Sequence, residues 1–376
     1  MSDALVTRSG RQTHTTTRLA LASRGDALTP YLFAALERRF DVVGRIEAEL
    51  TSLQRYTVAA MTMRPSRSAW AERFYKSGIA TRLRSARAVR QLRALDERPD
   101  VVLQVHALFD QALAPSALYL DCTHRQSADL WPAWNPLRGR ALDDWYRREQ
   151  QSYDAARHLF AFSEPTRRSL IDDYGVAPQK VTVVGGGANL RALPPVRPRP
   201  SGPPTVLFIG NDFIRKGGEV LLEAFARVRS TIPDARLVLV GTRPSITPQP
   251  GVEVLGRVHA RARIADLYHD AAVFAVPSFF DPFPLVLLEA MAFGVPVVTT
   301  RQTGTPEMVT DETGVLVGTG DAAALADALL DSLQHPAAAE ARASAARRDV
   351  ERRFTWDAVV DRMAPVLEAL SPGGIR

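Results

Sequence analysis

Residues 278–307 read SFFDPFPLVLLEAMAFGVPVVTTRQTGTPE. The stretch runs from the end of an apolar strand through a Pro- and Phe-rich loop into a short helix, then a second strand and a Gly-containing turn. Apolar residues recur too densely over 285–293 for a turn, and Gly294 followed by Pro296 stops a helix there. Pro284 suits the first helical position, where its missing N–H costs nothing. Two carboxylates, Asp281 and Glu289, stand eight residues apart across the loop-to-helix junction.

A helix N-terminus presents unpaired N–H groups and a partial positive charge, so it suits phosphate. Glu289 falls more than a turn inside the predicted helix, away from such a phosphate and placed to accept hydrogen bonds from hydroxyl groups. The pattern fits a ligand carrying both phosphate and sugar. It also fits a plain strand–helix–strand unit with a solvated Asp and a locally paired Glu.

A second stretch, residues 210–218, reads GNDFIRKGG between the strand TVLFIG and a helix. Glycine lets the backbone approach a ligand, and Arg215 and Lys216 supply charge for a diphosphate. Neither G-K-[ST] nor G-x-G-x-x-G is present, so this is not a P-loop or a dinucleotide fingerprint. The run Gly185, Gly186, Gly187 fails the dinucleotide spacing as well, because Leu190 stands where the third Gly is needed.

The 376 residues suffice for two domains, each with its own core. At 46% hydrophobic and 23% charged, the chain has the composition of a globular protein, not a disordered one. No run reaches the roughly 18–20 apolar residues that span a bilayer. Residues 1–17 are polar, lack a signal-peptide core and predict a disordered tail on a cytoplasmic protein. One cysteine, Cys122, excludes an intramolecular disulfide and a Cys-based metal cluster.

The net charge is +6. Residues 64–98 hold ten Arg or Lys against three acids, with Trp70, Phe74 and Tyr75 interleaved. Apolar residues at helical spacing over 79–95 predict peripheral contact with an anionic membrane at its inner face. The same pattern fits a solvated helix packed on its own domain. No nucleic-acid partner is expected.

In chain order, strands are predicted over 18–23, 41–46, 101–106, 117–121, 159–163 and 181–184, with a further candidate at 56–63. Helices fall between them. Residues 193–204 carry six prolines and form a linker. From 205 the strand–helix alternation restarts, and the tail from 321 to 370 is helical. Alternation of this kind predicts an α/β fold with parallel sheets covered on both faces. The expected organisation is a first domain over 18–192, the linker over 193–204, a second domain over 205–354, and a terminal helix with tail over 355–376.

The D-x7-E pair, AMAFGVPVV at 290–298 and GTPE at 304–307 together resemble the nucleotide-binding half of GT-B glycosyltransferases, above all the retaining group called family 4. The family's first acid is usually Glu in E-x-F-G, where this chain has Asp281 in D-P-F-P. The 210–218 stretch is similar to the family's G-R-x4-K-G, with Lys216 matching, Asn211 at the Arg position and Arg215 supplying the charge beside the Lys. The resemblance covers residues 161–370 well.

It implies two doubly wound Rossmann-like domains facing a cleft, with the last helix crossing back to the first domain. It implies a nucleoside diphosphate sugar as donor substrate, transfer with retention to a glycan, lipid-linked or small-molecule acceptor, and no cofactor or metal. Arg215 and Lys216 would neutralise the diphosphate, Glu289 would hold the ribose and Asp281 would contact the sugar. Gly210, Asn211, Arg257, Phe283, Pro284, Leu285, Gly304 and Thr305 complete the implied donor site. A family His after a first-domain strand faces the transferring centre; His124 is the first candidate and His106 the second. Asp121, Gly187 and Asn189 are placed at the cleft. Trp131, Trp134, Trp145 and Tyr146 could line an acceptor pocket or pack in the core. Two other functions share this architecture: a sugar-nucleotide epimerase or phosphorylase, and a degenerate nucleotide-sugar-binding scaffold.

Overall fold

A computed structural model describes residues 15–198 and 202–371. The first half contains β1 (Thr15–Ser23), α1 (Thr29–Arg39), β2 (Phe40–Glu47), α2 (Ser52–Thr62), α3 (Arg67–Lys76) and α4 (Gly78–Arg93). It continues with β3 (Val101–Val105), β4 (Ser116–Leu120), α5 (His124–Leu130), α6 (Arg140–Ala155), β5 (His158–Ala161), α7 (Glu164–Asp172) and β6 (Val181–Val183). The second half opens with β7 (Thr205–Ile209), α8 (Gly218–Thr231), β8 (Arg236–Val240), β9 (Val252–Gly256), α9 (Arg261–Asp270) and β10 (Val273–Val276). Then come α10 (Leu285–Ala292), β11 (Val297–Thr300), α11 (Thr305–Met308), β12 (Val315–Val317), α12 (Ala322–Gln334), α13 (Pro336–Arg353) and α14 (Trp356–Ala369).

Each half is one six-stranded parallel sheet, ordered β2-β1-β3-β4-β5-β6 and β12-β11-β10-β7-β8-β9. The central strands β3, β5, β10 and β11 are buried at every position. Helices on both faces leave such strands no solvated side, so they are apolar throughout instead of alternating. The strand order reverses between β1 and β3 in one sheet and between β7 and β10 in the other. A crevice opens at the strand C-termini where the order reverses, and open α/β sheets bind ligands there.

The last helix returns to the first half, as expected. Val359, Val360, Met363 and Leu367 of α14 are buried in the core that also holds Leu32 and Leu36 of α1. Arg38 pairs with Asp357 at 2.6 Å and Arg39 with Glu368 at 3.2 Å.

Three local expectations are corrected. Most of the tail predicted over 1–17 lies outside the described residues, but Thr15–Ser23 is strand, so its last three residues open β1. The strand candidate at 56–63 is helical. Thr51 and Gln54 form a reciprocal capping box that starts α2, and Val58 and Thr62, four apart, bury its inner face. The basic segment packs instead of lying free: Ala80, Ala88 and Leu92 of α4 are buried, and so is the whole Arg84 side chain. Exposed apolar side chains lie instead on α2 and just after it, at Leu53, Tyr56, Met61 and Met63.

Candidate active site

At the reversal in the second sheet, the turn after β7 carries Gly210, Asn211, Arg215 and Lys216. Gly217 closes that turn at φ +74°, and a Cβ there would stand 1.9 Å from the Pro277 carbonyl oxygen, so the turn can lie against the end of β10 only as glycine. Arg215 and Lys216 are 4% and 8% exposed, unusual for cations, and both face Asp281. Lys216 Nζ donates to Asp281 Oδ2, and Arg215 Nη1 stands 3.8 Å from the same oxygen. Arg215 also donates to Asp212 at 3.2 Å and to the Phe280 carbonyl at 2.7 Å. Asn211 and Arg215 line a cavity of 590 Å³ beside this cluster.

Helix α10 begins at Leu285, as expected, with Pro284 as its extended cap residue and not its first helical position. Glu289 lies in its second turn, accepting from the Tyr268 hydroxyl at 3.2 Å. Burial raises the Glu289 carboxyl to about 7, against the opposing pull of Tyr268 and Arg261. Thr305 Oγ1 donates to the Thr300 carbonyl at 2.7 Å, fixing the turn that contains Gly304.

Other residues singled out from the sequence stand apart from this cluster. Arg257 is exposed and follows β9, the edge strand of its sheet. Phe283 packs edge-on against Phe162 of the first half, with ring centroids 5.6 Å apart. Leu285 lies so close to Gly186 that a Cβ there would be 3.0 Å from its methyl. Gly187 and Asn189 face α14 and not an open cleft. A Cβ on Gly187 would strike the Trp356 indole at 2.6 Å, and Asn189 accepts from Trp356 Nε1 at 3.3 Å.

At the reversal in the first sheet, a cavity of 460 Å³ is lined by residues that follow β1 and β3, by the end of β4, and by α3, α5 and α6. His106 follows β3 at φ +61°, a conformation that strains a non-glycine residue. Its Nε2 is 3.5 Å from Asp26 and its Nδ1 is 3.5 Å from Asp121. Burial disfavours the imidazolium, but the two carboxylates outweigh it and raise the His106 pKa. His124, the first candidate by sequence, is 3% exposed and differs in character. Its Nδ1 is 2.6 Å from Lys76 Nζ, and burial together with that cation lowers its pKa to about 3. A neutral ring accepting from Lys76 carries its proton on Nε2.

The two halves meet over these sites. Trp131 stacks on Phe279 at 6.0 Å, and the Trp134 ring lies edge-on to Phe280 at 5.7 Å and 4.2 Å from the Arg215 guanidinium carbon. Trp134 lines both cavities. Glu164 N donates to Glu307 at 2.8 Å, a further link between the halves. Sequence reasoning missed Arg24, Tyr75 and Lys76 as cavity residues. For Tyr75 and Lys76 the basic and aromatic cluster at 64–98 was the available signal, and it pointed to a surface instead; Arg24 had none.

Residues 27–192 match the family model for Glycosyltransferase Family 4, and residues 203–335 match that for Glycosyl transferases group 1. The chain belongs to the group 1, family 4 glycosyltransferases. The gap between the two matched ranges falls in the proline-rich segment of this family 4 chain. A glycogen synthase of Mycobacterium tuberculosis is 31% identical over 247 residues, covering 62% of this chain and 58% of that protein. The chain thus spans well under two thirds of that relative's length. Among solved structures, the sucrose-phosphate synthase of Thermosynechococcus elongatus superposes with a TM-score of 0.71 at 21% identity, over 94% of this chain and 99% of that one. Anabaena HepE, crystallised with UDP and glucose, superposes with a TM-score of 0.62 at 18% identity, over 94% of this chain and 100% of its own. These likenesses establish the GT-B fold for this family 4 chain. Among the described residues no helix is long and apolar enough to cross a membrane.

Proposed function

We propose that the chain transfers a sugar, with retention, from a nucleoside diphosphate sugar to an acceptor held in the first half, residues 18–192, with the donor on residues 205–354. The observation that carries this reading is the buried convergence of Arg215 and Lys216 on Asp281 at the sheet reversal. In the donor complex the diphosphate takes up Arg215 and Lys216, Asp281 turns to the sugar hydroxyls, and Glu289 accepts from the ribose. The bond from the sugar C1 to the phosphate oxygen breaks as the acceptor oxygen bonds to C1. The acceptor proton passes to the departing phosphate, whose charge Arg215 and Lys216 stabilise in a water-poor site. No metal is required by that scheme. Of the two histidines, His106, held between two carboxylates, is the one proposed to face the reacting centre, and the neutral buried ring of His124 is proposed to belong to the cavity wall.

The test is calorimetric titration with UDP, GDP, ADP and dTDP. Glu289→Ala and Lys216→Ala are measured beside the wild type. Micromolar binding of one diphosphate, lost in both variants, supports the donor site. HepE makes UDP the first to try. Silence with all four leaves the scaffold reading standing. Sugar conversion without any acceptor would favour an epimerase.

Peripheral contact with an anionic surface is proposed for α2 in place of α4. Leu53, Tyr56 and Met61 recur along one exposed face of α2. Residues 50–71 contain Arg55, Arg64 and Arg67 and no acid. Co-sedimentation with phosphatidylglycerol vesicles, abolished by Leu53→Glu with Met61→Glu, is the expected result.

A further inference from the structure

Among the described residues of the second half, two buried side-chain polar atoms lack a hydrogen-bond partner, Ser278 Oγ and Gln302 Nε2. Both adjoin the loop that carries Asp281. Gln302 follows β11 and reaches across to the loop after β10, where its Oε1 accepts from Asp281 N at 3.0 Å. An N–H can face only the oxygen end of an amide, so this contact fixes the orientation of the side chain and leaves Nε2 as its free end. The neighbouring Thr303 hydroxyl lies in hydrogen-bond reach of both Gln302 Oε1 and the Asp281 carbonyl. Thr303 holds φ +38°, a left-handed conformation that a β-branched residue keeps only where its surroundings fix it. The turn at 302–303 is therefore clamped to the Asp281 backbone, while the Asp281 side chain points elsewhere.

That side chain is 7% exposed with its residue and is held by cations: Lys216 Nζ donates to Oδ2, and Arg215 Nη1 stands 3.8 Å from the same oxygen. A diphosphate that takes up both cations strips the carboxylate of its partners and sets a polyanion beside it. A buried carboxylate without a partner is costly. Sugar hydroxyls can replace the cations, but a bare nucleoside diphosphate brings no sugar to this position. The amide of Gln302 is the free donor one hydrogen bond away from the Asp281 backbone, and a carboxylate swung about Cα–Cβ toward its own N–H meets that amide edge-on.

Building on the donor reading of this site, we propose that Gln302 is a positioning residue that receives Asp281 when the donor displaces it from Lys216. The carboxylate turns from Lys216 Nζ to Gln302 Nε2, the contact between Gln302 Oε1 and Asp281 N stays in place, and the second carboxylate oxygen is left to face the sugar hydroxyls. One charge-assisted hydrogen bond replaces another, so Asp281 releases Lys216 to the diphosphate at little cost and enters the sugar site in a single orientation.

UDP is titrated calorimetrically into the wild type, Gln302→Leu, Asp281→Ala and the double variant. Asp281→Ala removes the carboxylate but keeps the backbone N–H and carbonyl that Gln302 and Thr303 hold. Gln302→Leu should weaken UDP about tenfold in the wild-type background, the worth of one hydrogen bond to a charged group, and should leave UDP affinity unchanged in the Asp281→Ala background. Tm without UDP should fall equally in both backgrounds, since the carboxylate and Nε2 are then apart. A crystal structure with UDP should show Asp281 on Gln302 Nε2 and Lys216 on a phosphate oxygen. Equal weakening in both backgrounds, weakening in neither, or Asp281 still on Lys216 in the complex overturns the proposal and leaves Gln302 a brace for the loop. A wild type that binds none of UDP, GDP, ADP and dTDP refutes instead the donor assignment on which the exchange rests.

Discussion

Trp134 and Arg215 belong to different halves of the chain, yet the Arg215 guanidinium carbon lies 4.2 Å from the centroid of the Trp134 ring. Because Trp134 lines both cavities, a diphosphate arriving at Arg215 meets the indole directly. UDP is expected to change tryptophan emission in the wild type and not in Trp134→Phe. Trp134→Ala should weaken UDP binding about fivefold, in line with a cation–π contact of ~1 kcal/mol. Its Tm should move little, since the residue is 40% exposed. An unchanged emission in the wild type would argue against the contact's role.

Lys216 and Asp281 form a buried pair, so removing one partner strands the other. Lys216→Met should cost about 3 kcal/mol, the low end for a broken buried pair because Arg215 still stands 3.8 Å from Asp281. Adding Asp281→Asn should recover most of that stability without restoring UDP binding. Chemical denaturation of the two single variants and the double variant measures the coupling. Additive losses would show that the pair is not coupled.

Glu289 yields a pH dependence with a definite sign. Its folded pKa, about 7, lies above the ordinary 4.5, so the folded state holds the proton more tightly. That contribution to stability is full below pH 4.5 and declines as pH rises to 7. On the proposed reading, in which ionised Glu289 accepts from the ribose, UDP affinity should instead fall about tenfold per pH unit below 7. Glu289→Gln should flatten both profiles. Calorimetry from pH 5.5 to 8.5 checks the second and thermal melts the first.

His106 has the opposite cause of shift, two carboxylates overcoming burial. Its stabilising contribution is present below the ordinary value near 6.5 and is lost as pH rises through the raised folded value. Asp26→Asn should lower the His106 pKa, visible by imidazole NMR titration, and should shift the alkaline limb of the Tm profile downward. A His106 titration indifferent to Asp26 would rule out the pairing.

Much of the second half was legible in residue order. The strand–loop–helix at 273–292 and the turn at 210–218 are local, because close packing of consecutive elements dictates their glycines, prolines and apolar runs. Arg215, Lys216, Asp281 and Glu289 could be singled out for the same reason. The first half was less legible. Tyr56–Met63 has strand-like side chains, and only the capping box at Thr51 and Gln54 reveals the helix.

The sequence by itself determined the α/β class, the repeated strand–helix pattern, the break at the prolines and the charged groups of the second half, since all of these follow from periodicity, turn chemistry and residue type. Tertiary structure alone decided which groups meet. It placed Gly187 and Asn189 against Trp356, buried His124 beside Lys76, and brought Arg24 and Arg84, sixty residues apart, to one tyrosine ring. Such contacts depend on where parallel strands reverse their order and on how α14 closes across the halves, and no short-range pattern of residues encodes either.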